Sequence, residues 1–241
     1  MNSIKTTEIV STDKVSVLLA DDHTIVREGL RILLEATPDI QVVGEAQNGR
    51  QAVQLARKLQ PHVVVMDVAM PLLNGAEATR QILRDSPKAK VLILSSYNDD
   101  ERVAQLIEHG ATGYLVKQGA SNDLVKAIRE ARNGNPFFSP CIAKCLLEQC
   151  RASYSKGHAH TTKGDRLTTR EAEVLQLIAE GYANKQIADV LALSIKTVEK
   201  HRQQLMDKLQ IHQIAGLTRY ATARGVIEPP LRLQGAEMRC E

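Results

Sequence analysis

The chain has 241 residues, 43% of them hydrophobic, and a formal charge of +3, which suits two ordinary domains with separate cores better than one large one. No apolar stretch approaches the roughly 20 residues of a membrane-spanning helix, and the polar start Met1–Lys14 is unlike a secretory signal, so a cytoplasmic protein is expected. Four cysteines, at 141, 145, 150 and 240, leave the N-terminal half without any, which excludes a disulfide framework.

Four apolar runs in the first half read as buried parallel strands: Val15–Ala20, Val42–Ala46, His62–Met66 and Val91–Ser95. A fifth, Gly113–Val116, is short. Between them lie segments of helical spacing, such as Ile25, Leu30, Leu33 and Leu34, then Ala52, Leu55, Ala56 and Leu59. Alternation of this kind predicts an α/β domain with a doubly wound, five-stranded parallel sheet over residues 14–133, closed by a helix at Asn122–Arg132.

In such sheets chemistry collects beyond the carboxyl ends of the strands. Strand one ends in Asp21-Asp22, strand three in Asp67, strand four in Ser95 and strand five in Lys117, three residues past Tyr114. With strands ordered 2-1-3-4-5, three carboxylates converge beside a hydroxyl and an ammonium. Carboxylates so close together need a cation or raised pKa values. Magnesium suits them, because it takes hard oxygen ligands and accepts phosphoryl oxygens as well. A lone strand-end Asp is often a helix cap and a lone Lys a solvated surface group; five such groups at neighbouring strand ends are harder to explain by structure alone.

These residues, in this order, resemble the receiver domains of two-component response regulators. The resemblance implies that Asp67 accepts a phosphoryl group from a sensor histidine kinase. It also implies that Asp21, Asp22, Asp67 and the backbone carbonyl of Ala69 hold Mg2+, that Ser95 and Lys117 contact the phosphoryl oxygens, and that Tyr114 is the switch aromatic. The residue after Lys117 is Gln118, where many receivers carry proline.

Residues 134–162 read as a linker, polar and Gly-containing toward its end. Cys141, Cys145 and Cys150 with His158 and His160 have no common zinc-site spacing, and buried reduced thiols are the expectation. From Leu167 the pattern is helical. Thr168 and Glu171 form a possible capping box, Gly181 stops that helix, Asn184 and Ser194 can cap the next two, and a fourth helix covers about Gln213–Arg224. Residues 229–241 read as a tail.

On the third of these helices Val198, Leu205 and Leu209 form an apolar stripe, with Lys196, Lys200, Gln203 and Asp207 on the opposite face. Residues 133–241 carry 15 Lys/Arg against 11 Asp/Glu, a balance compatible with a polyanionic partner. The segments Leu167–Leu175, Ile178–Ala188, Ser194–His201 and Lys208-Leu209 are similar to a LuxR-type helix-turn-helix domain over 163–228. The whole architecture resembles the NarL/FixJ family of response regulators. That resemblance implies a transcriptional regulator and not an enzyme, with double-stranded DNA and RNA polymerase as partners. It places Glu199, Lys200 and Gln203 at bases and Lys185, Lys196, Thr197 and Arg202 at phosphates. A homodimer contact through Ile214, Leu217 and Ala221 is implied for the active form.

Three rival readings are weaker. A phosphohydrolase using Asp67 as covalent nucleophile, of the haloacid dehalogenase type, needs a second Asp where Ala69 stands. A nucleotide-binding domain needs a Gly-rich loop where Asp21-Asp22-His23 stands. A phosphorylation-independent DNA-binding protein need not keep every acidic and basic position.

Overall fold

A computed structural model describes residues 14–96, 103, 106–118, 120–155 and 167–227. The N-terminal domain is a parallel sheet built from β1 (Val15–Ala20), β2 (Ile40–Ala46), β3 (Val63–Asp67), β4 (Lys90–Ser95), β5 (Gly113–Val116) and β6 (Phe137–Phe138). The strand order is β2-β1-β3-β4-β5-β6. Helices α1 (Thr24–Glu35), α2 (Gly49–Leu59), α3 (Gly75–Asp85) and α4 (Ala120–Arg132) cover its two faces.

Because side chains alternate along a strand, each strand feeds two cores. Leu18, Val64, Met66, Ile93 and Tyr114 enter one, beneath α2 and α3. Val17, Leu19, Val65, Leu92 and Leu115 enter the other, with Leu34 of α1 and Leu124 and Ile128 of α4. Both faces are buried, which is why these strands are continuously apolar in sequence.

The expected five strands are six. Phe137–Phe138 pairs in register with Gly113 and Tyr114; two residues are too few to show any periodicity, so in sequence the segment is indistinguishable from the linker expected at 134–162. It is followed by α5 (Pro140–Ser155), whose Ile142 is fully buried in the core that holds Tyr114. On α1, Ile25 is 86% exposed although its spacing fits the apolar stripe, whereas the buried side chains of that helix are Arg27 and Leu34.

The second domain comprises α6 (Thr169–Ala179), α7 (Asn184–Leu191), α8 (Ile195–Leu209) and α9 (Ile214–Ala223). Val174, Leu177, Ile178, Ile187, Val198, Leu205 and Leu217 share its core. The capping box is present: Glu171 N–H donates to Thr168 Oγ1 and Thr168 N–H donates to the Glu171 carboxylate. Gly181, at φ 89°, ends α6 in the left-handed conformation that costs glycine least. Ser194 caps α8 by accepting the Thr197 N–H. Asn184 does not cap α7. The N-cap is Ala183, and the Asn184 side chain instead accepts a hydrogen bond from Arg202 at 3.1 Å.

The two domains are docked through α6. Its Glu171, Glu173 and Gln176 are buried in addition to its apolar residues. Glu173 accepts from Gln81 on α3 at 3.0 Å and lies 3.6 Å from Arg50 on α2. Arg80 donates to Thr169, and Asn74 Nδ2 reaches the Val226 carbonyl at 3.4 Å. A cavity of about 120 Å³ remains between α3 and the end of α9, lined by Glu77, Leu106, His109, Ala172 and Arg224 among others.

Candidate functional site

Asp21 follows β1 directly, Asp67 ends β3, Ser95 ends β4 and Lys117 follows β5. The adjacency of β1, β3, β4 and β5 in the sheet brings these positions to one edge. The Lys117 ammonium lies 2.8 Å from Asp21 Oδ2 and 2.9 Å from Asp67 Oδ2, bridging two buried carboxylates. The other Asp67 oxygen accepts the Val68 N–H at 2.8 Å. Oxygens of Asp21, Asp22 and Asp67 and a nitrogen of His23 lie within 4.8 Å of one another. His23 Nδ1 is 2.8 Å from Asp22 Oδ1 and its backbone N–H donates to Asp21 Oδ1.

Burial pushes the Asp67 carboxyl up to about 6, against the lowering effect of Lys117 beside it, and Asp21 adds to the rise. The Lys117 ammonium is held above its ordinary value by these two carboxylates, in spite of its own desolvation. One ammonium thus balances two close acids incompletely. A clustered set of hard carboxylate oxygens with excess negative charge is the donor chemistry that Mg2+ takes, so these residues fit that ion.

Ser95 is 2% exposed, and its carbonyl accepts the Lys117 N–H at 2.7 Å. Tyr114 is 1% exposed, its ring already inside the core. Ala69 is half-buried in the loop after β3. That loop is folded tightly against Asp67: Gly75 N–H donates to the Val68 carbonyl at 2.8 Å, and a Cβ at Gly75 would collide with the Asp67 carbonyl oxygen.

In the second domain α8 presents Lys196, Glu199, Lys200, Gln203 and Asp207 as exposed residues, with Val198, Leu205 and Met206 buried behind them. Lys185 on α7 is exposed on the preceding helix. Thr197 and Arg202 are half-buried: the Thr197 hydroxyl lies 2.8 Å from the Ser194 hydroxyl, and Arg202 is held by Asn184. Gln203 Nε2 donates to Asp207 at 2.8 Å. On α9, Leu217 and Ala221 are fully buried within the domain's own core, and only Ile214 of the three residues expected at a dimer contact is exposed, at 51%. Cys145 is buried but Cys141 is exposed, so the expectation of buried thiols holds for one of them. The Cys150 side chain, His158 and His160 lie outside what is described. Among the described residues no helix is long and apolar enough to cross a membrane.

The docking face of α6 is not among the sequence expectations. Glu173, Gln176 and Glu180 recur at helical spacing on a helix whose other residues are largely apolar, and that polar stripe is the signal that could have found it.

A sheet with acids and a lysine at its carboxyl edge, joined to a helix-turn-helix unit, defines a phosphoryl-receiving domain coupled to a DNA-binding one. Comparison with known proteins agrees for both halves. Residues 17–129 match the response regulator receiver domain and residues 165–221 the bacterial regulatory proteins of the luxR family. The transcriptional regulatory protein LiaR of Bacillus subtilis is 42% identical over 197 residues, covering 82% of this chain and 92% of LiaR. The transcriptional regulatory protein DegU of Brevibacillus brevis is 33% identical, covering 85% of this chain and 92% of DegU. Among solved structures, Salmonella typhimurium RcsB superimposes with a TM-score of 0.53 at 30% identity, covering 87% of this chain and 99% of that one. An RcsB–DNA complex matches with a TM-score of 0.54 at 28% identity, covering 88% of this chain and 99% of the other. The chain belongs to the NarL/FixJ family of two-component response regulators and is a DNA-binding transcriptional regulator.

Proposed function

We propose that a histidine kinase phosphorylates this regulator on Asp67, and that α8 reads DNA under the control of that modification. The observation that carries the assignment is the position of Asp67 within reach of both the Lys117 ammonium and the acidic pair. An Asp67 carboxylate oxygen attacks phosphorus of a phosphohistidine; the P–N bond breaks, the imidazole leaves, and an acyl phosphate forms. A bound Mg2+, held by Asp21, Asp22, Asp67 and the Ala69 carbonyl, would neutralise charge on the transferring group. Lys117, released from one of its two carboxylates, pairs with a phosphoryl oxygen, and the Ser95 hydroxyl donates to another. Ala69 supplies no acid-base group two residues after Asp67, which speaks against a phosphohydrolase.

Lys200, Gln203 and Glu199 face bases in this reading, and Lys185, Lys196, Thr197 and Arg202 approach phosphates. RcsB, a relative by fold and sequence, is bound to DNA in its solved complexes, one of them containing dimers; a homodimer with Ile214 at its contact is proposed here too, with RNA polymerase as the downstream partner and the cytoplasm as its place of action. Acetyl phosphate and Mg2+ should label the chain with one acid-labile phosphoryl group, absent from Asp67→Asn. Full labelling of that variant would reject the site.

A further inference from the structure

The loop between β3 and α3 begins directly after Asp67, and its main chain is hydrogen-bonded by side chains of the other domain. Gln176 of α6 uses both ends of its amide: Nε2 donates to the Met70 carbonyl at 3.0 Å, and Oε1 accepts the Asn74 N–H at 2.8 Å. Gln176 is only 1% exposed, so these bonds have little competition from water. Between those two anchors, Leu72 N–H donates to the Glu180 carboxylate, 3.2 Å from each oxygen. Gln176 also holds that carboxylate in place, donating to it at 2.7 Å.

Leu72 has φ 66°, a left-handed conformation that is costly for a branched residue and persists only where its surroundings over-determine it. Its side chain packs against the core of the DNA-binding domain. The receiver therefore places an apolar side chain into the second domain, and the second domain places a polar clamp on the receiver's loop. Met70, inside the clamp, directly follows Ala69, whose carbonyl is assigned to the metal.

We propose that Gln176 is a restraint on the phosphoacceptor site: by clamping Met70 and Asn74 it holds the loop that carries the Ala69 carbonyl in its docked arrangement, so that occupancy at Asp67 and this clamp oppose each other energetically. This rests on the assignment of Asp67 above. The recognition face of α8 stays exposed while the domains are docked, so the clamp regulates without covering the DNA-reading residues; what it ties down is α6 and, through Asn74 and Val226, the segment that follows α9. Linkage is reciprocal. If occupancy at Asp67 loosens the clamp, loosening the clamp must favour occupancy, because the apparent affinity scales with the fraction of chains in the competent state.

The test is calorimetric titration of Mg2+ with beryllofluoride into the full-length chain, comparing wild type with Gln176→Ala and with Gln176→Glu, which keeps an acceptor for Asn74 but cannot donate to Met70. Both variants are expected to bind the phosphoryl mimic about three- to tenfold more tightly than wild type. Damage to the fold would weaken binding, so a gain is not the signature of a merely structural residue. Unchanged or weaker binding in both variants overturns the clamp, and if wild type then still gains DNA affinity with beryllofluoride, the assignment of Asp67 survives that loss. Absence of any beryllofluoride binding to wild type would remove both.

Discussion

Nζ of Lys117 lies 2.9 Å from Oδ2 of Asp67, yet burial outweighs this contact and the Asp67 carboxyl is raised to about 6. The folded protein therefore holds a proton on Asp67 at pH values where the unfolded chain, with an ordinary value near 3.8, has released it.

The sign of the stability change follows. Between about pH 4 and pH 6 the native state binds more protons than the unfolded state, so stability falls as pH rises through that window. The loss is of the order of 3 kcal/mol at most. In Mg2+-free buffer, Asp67→Asn is expected to be more stable than wild type at pH 7, with the difference shrinking toward pH 4. Urea unfolding at several pH values measures this. Added Mg2+ competes with the proton, so its affinity should decline below about pH 6. A pH-independent difference between the two proteins would mean that Asp67 does not carry the shift.

DNA binding should be strongly salt-dependent, because Lys185 and Lys196 are exposed beside the reading face and displace counterions from phosphates. Lys200→Ala and Gln203→Ala are each expected to weaken specific binding by about 1–3 kcal/mol and to relax preference at one base position. Gln203 must first give up its bond to Asp207, so Asp207→Ala should leave it freer and cost less. Arg202 is held by Asn184, and Arg202→Ala should lower stability as well as affinity. Mobility-shift titrations at several salt concentrations separate these effects; unchanged specific affinity in both Lys200→Ala and Gln203→Ala would refute α8 as the reading helix.

The local rules served the sequence reading well where one short segment decides the outcome. Asp21, Asp67, Ser95 and Lys117 were legible because each closes an apolar run, and the parallel order brings such ends together. The Thr168–Glu171 box was legible because its spacing has a single geometric meaning. What escaped depended on distant partners. Phe137–Phe138 becomes a strand only because β5 offers an open edge. Gln176 looks like an ordinary polar helix residue until its bonds to Met70 and Asn74 are seen. Leu217 and Ala221 have the spacing of an interface, yet the domain's own core takes them, because spacing tells which side of a helix is buried and not by what.

Gly75 should be intolerant of a methyl group. A Cβ there meets the carbonyl of Asp67 itself, which is backbone and has no alternative rotamer, so Gly75→Ala must shift the loop or β3. A loss of about 1–3 kcal/mol in stability is expected, together with slower phosphorylation of Asp67. Gly134→Ala is the control: Gly134 has φ 84° and open space around it, so the cost is conformational alone, about 1 kcal/mol, with the labelling rate unchanged. Equal labelling rates in Gly75→Ala and wild type would show that the loop tolerates displacement without moving Asp67.

The lifetime of the acyl phosphate should depend on Ala69. Hydrolysis requires a water aligned opposite the Asp67–phosphorus bond, and the loop residue two positions after Asp67 flanks its path. Ala69 is half-buried there and has no side-chain group to orient that water. Slow autodephosphorylation is expected, with a kinase or phosphatase supplying the missing polar group. Ala69→Asn places an amide at that position without altering the backbone carbonyl assigned to the metal, and it should accelerate loss of the phosphoryl group at fixed Mg2+ and pH. Because Met70 beside it is clamped by Gln176, the acceleration should persist in the double variant Ala69→Asn/Gln176→Ala if the amide acts on the water directly, and vanish if it acts by loosening the loop. A decay rate in Ala69→Asn that is equal to or slower than wild type, with phosphorylation still confined to Asp67, would show that this position does not set the lifetime.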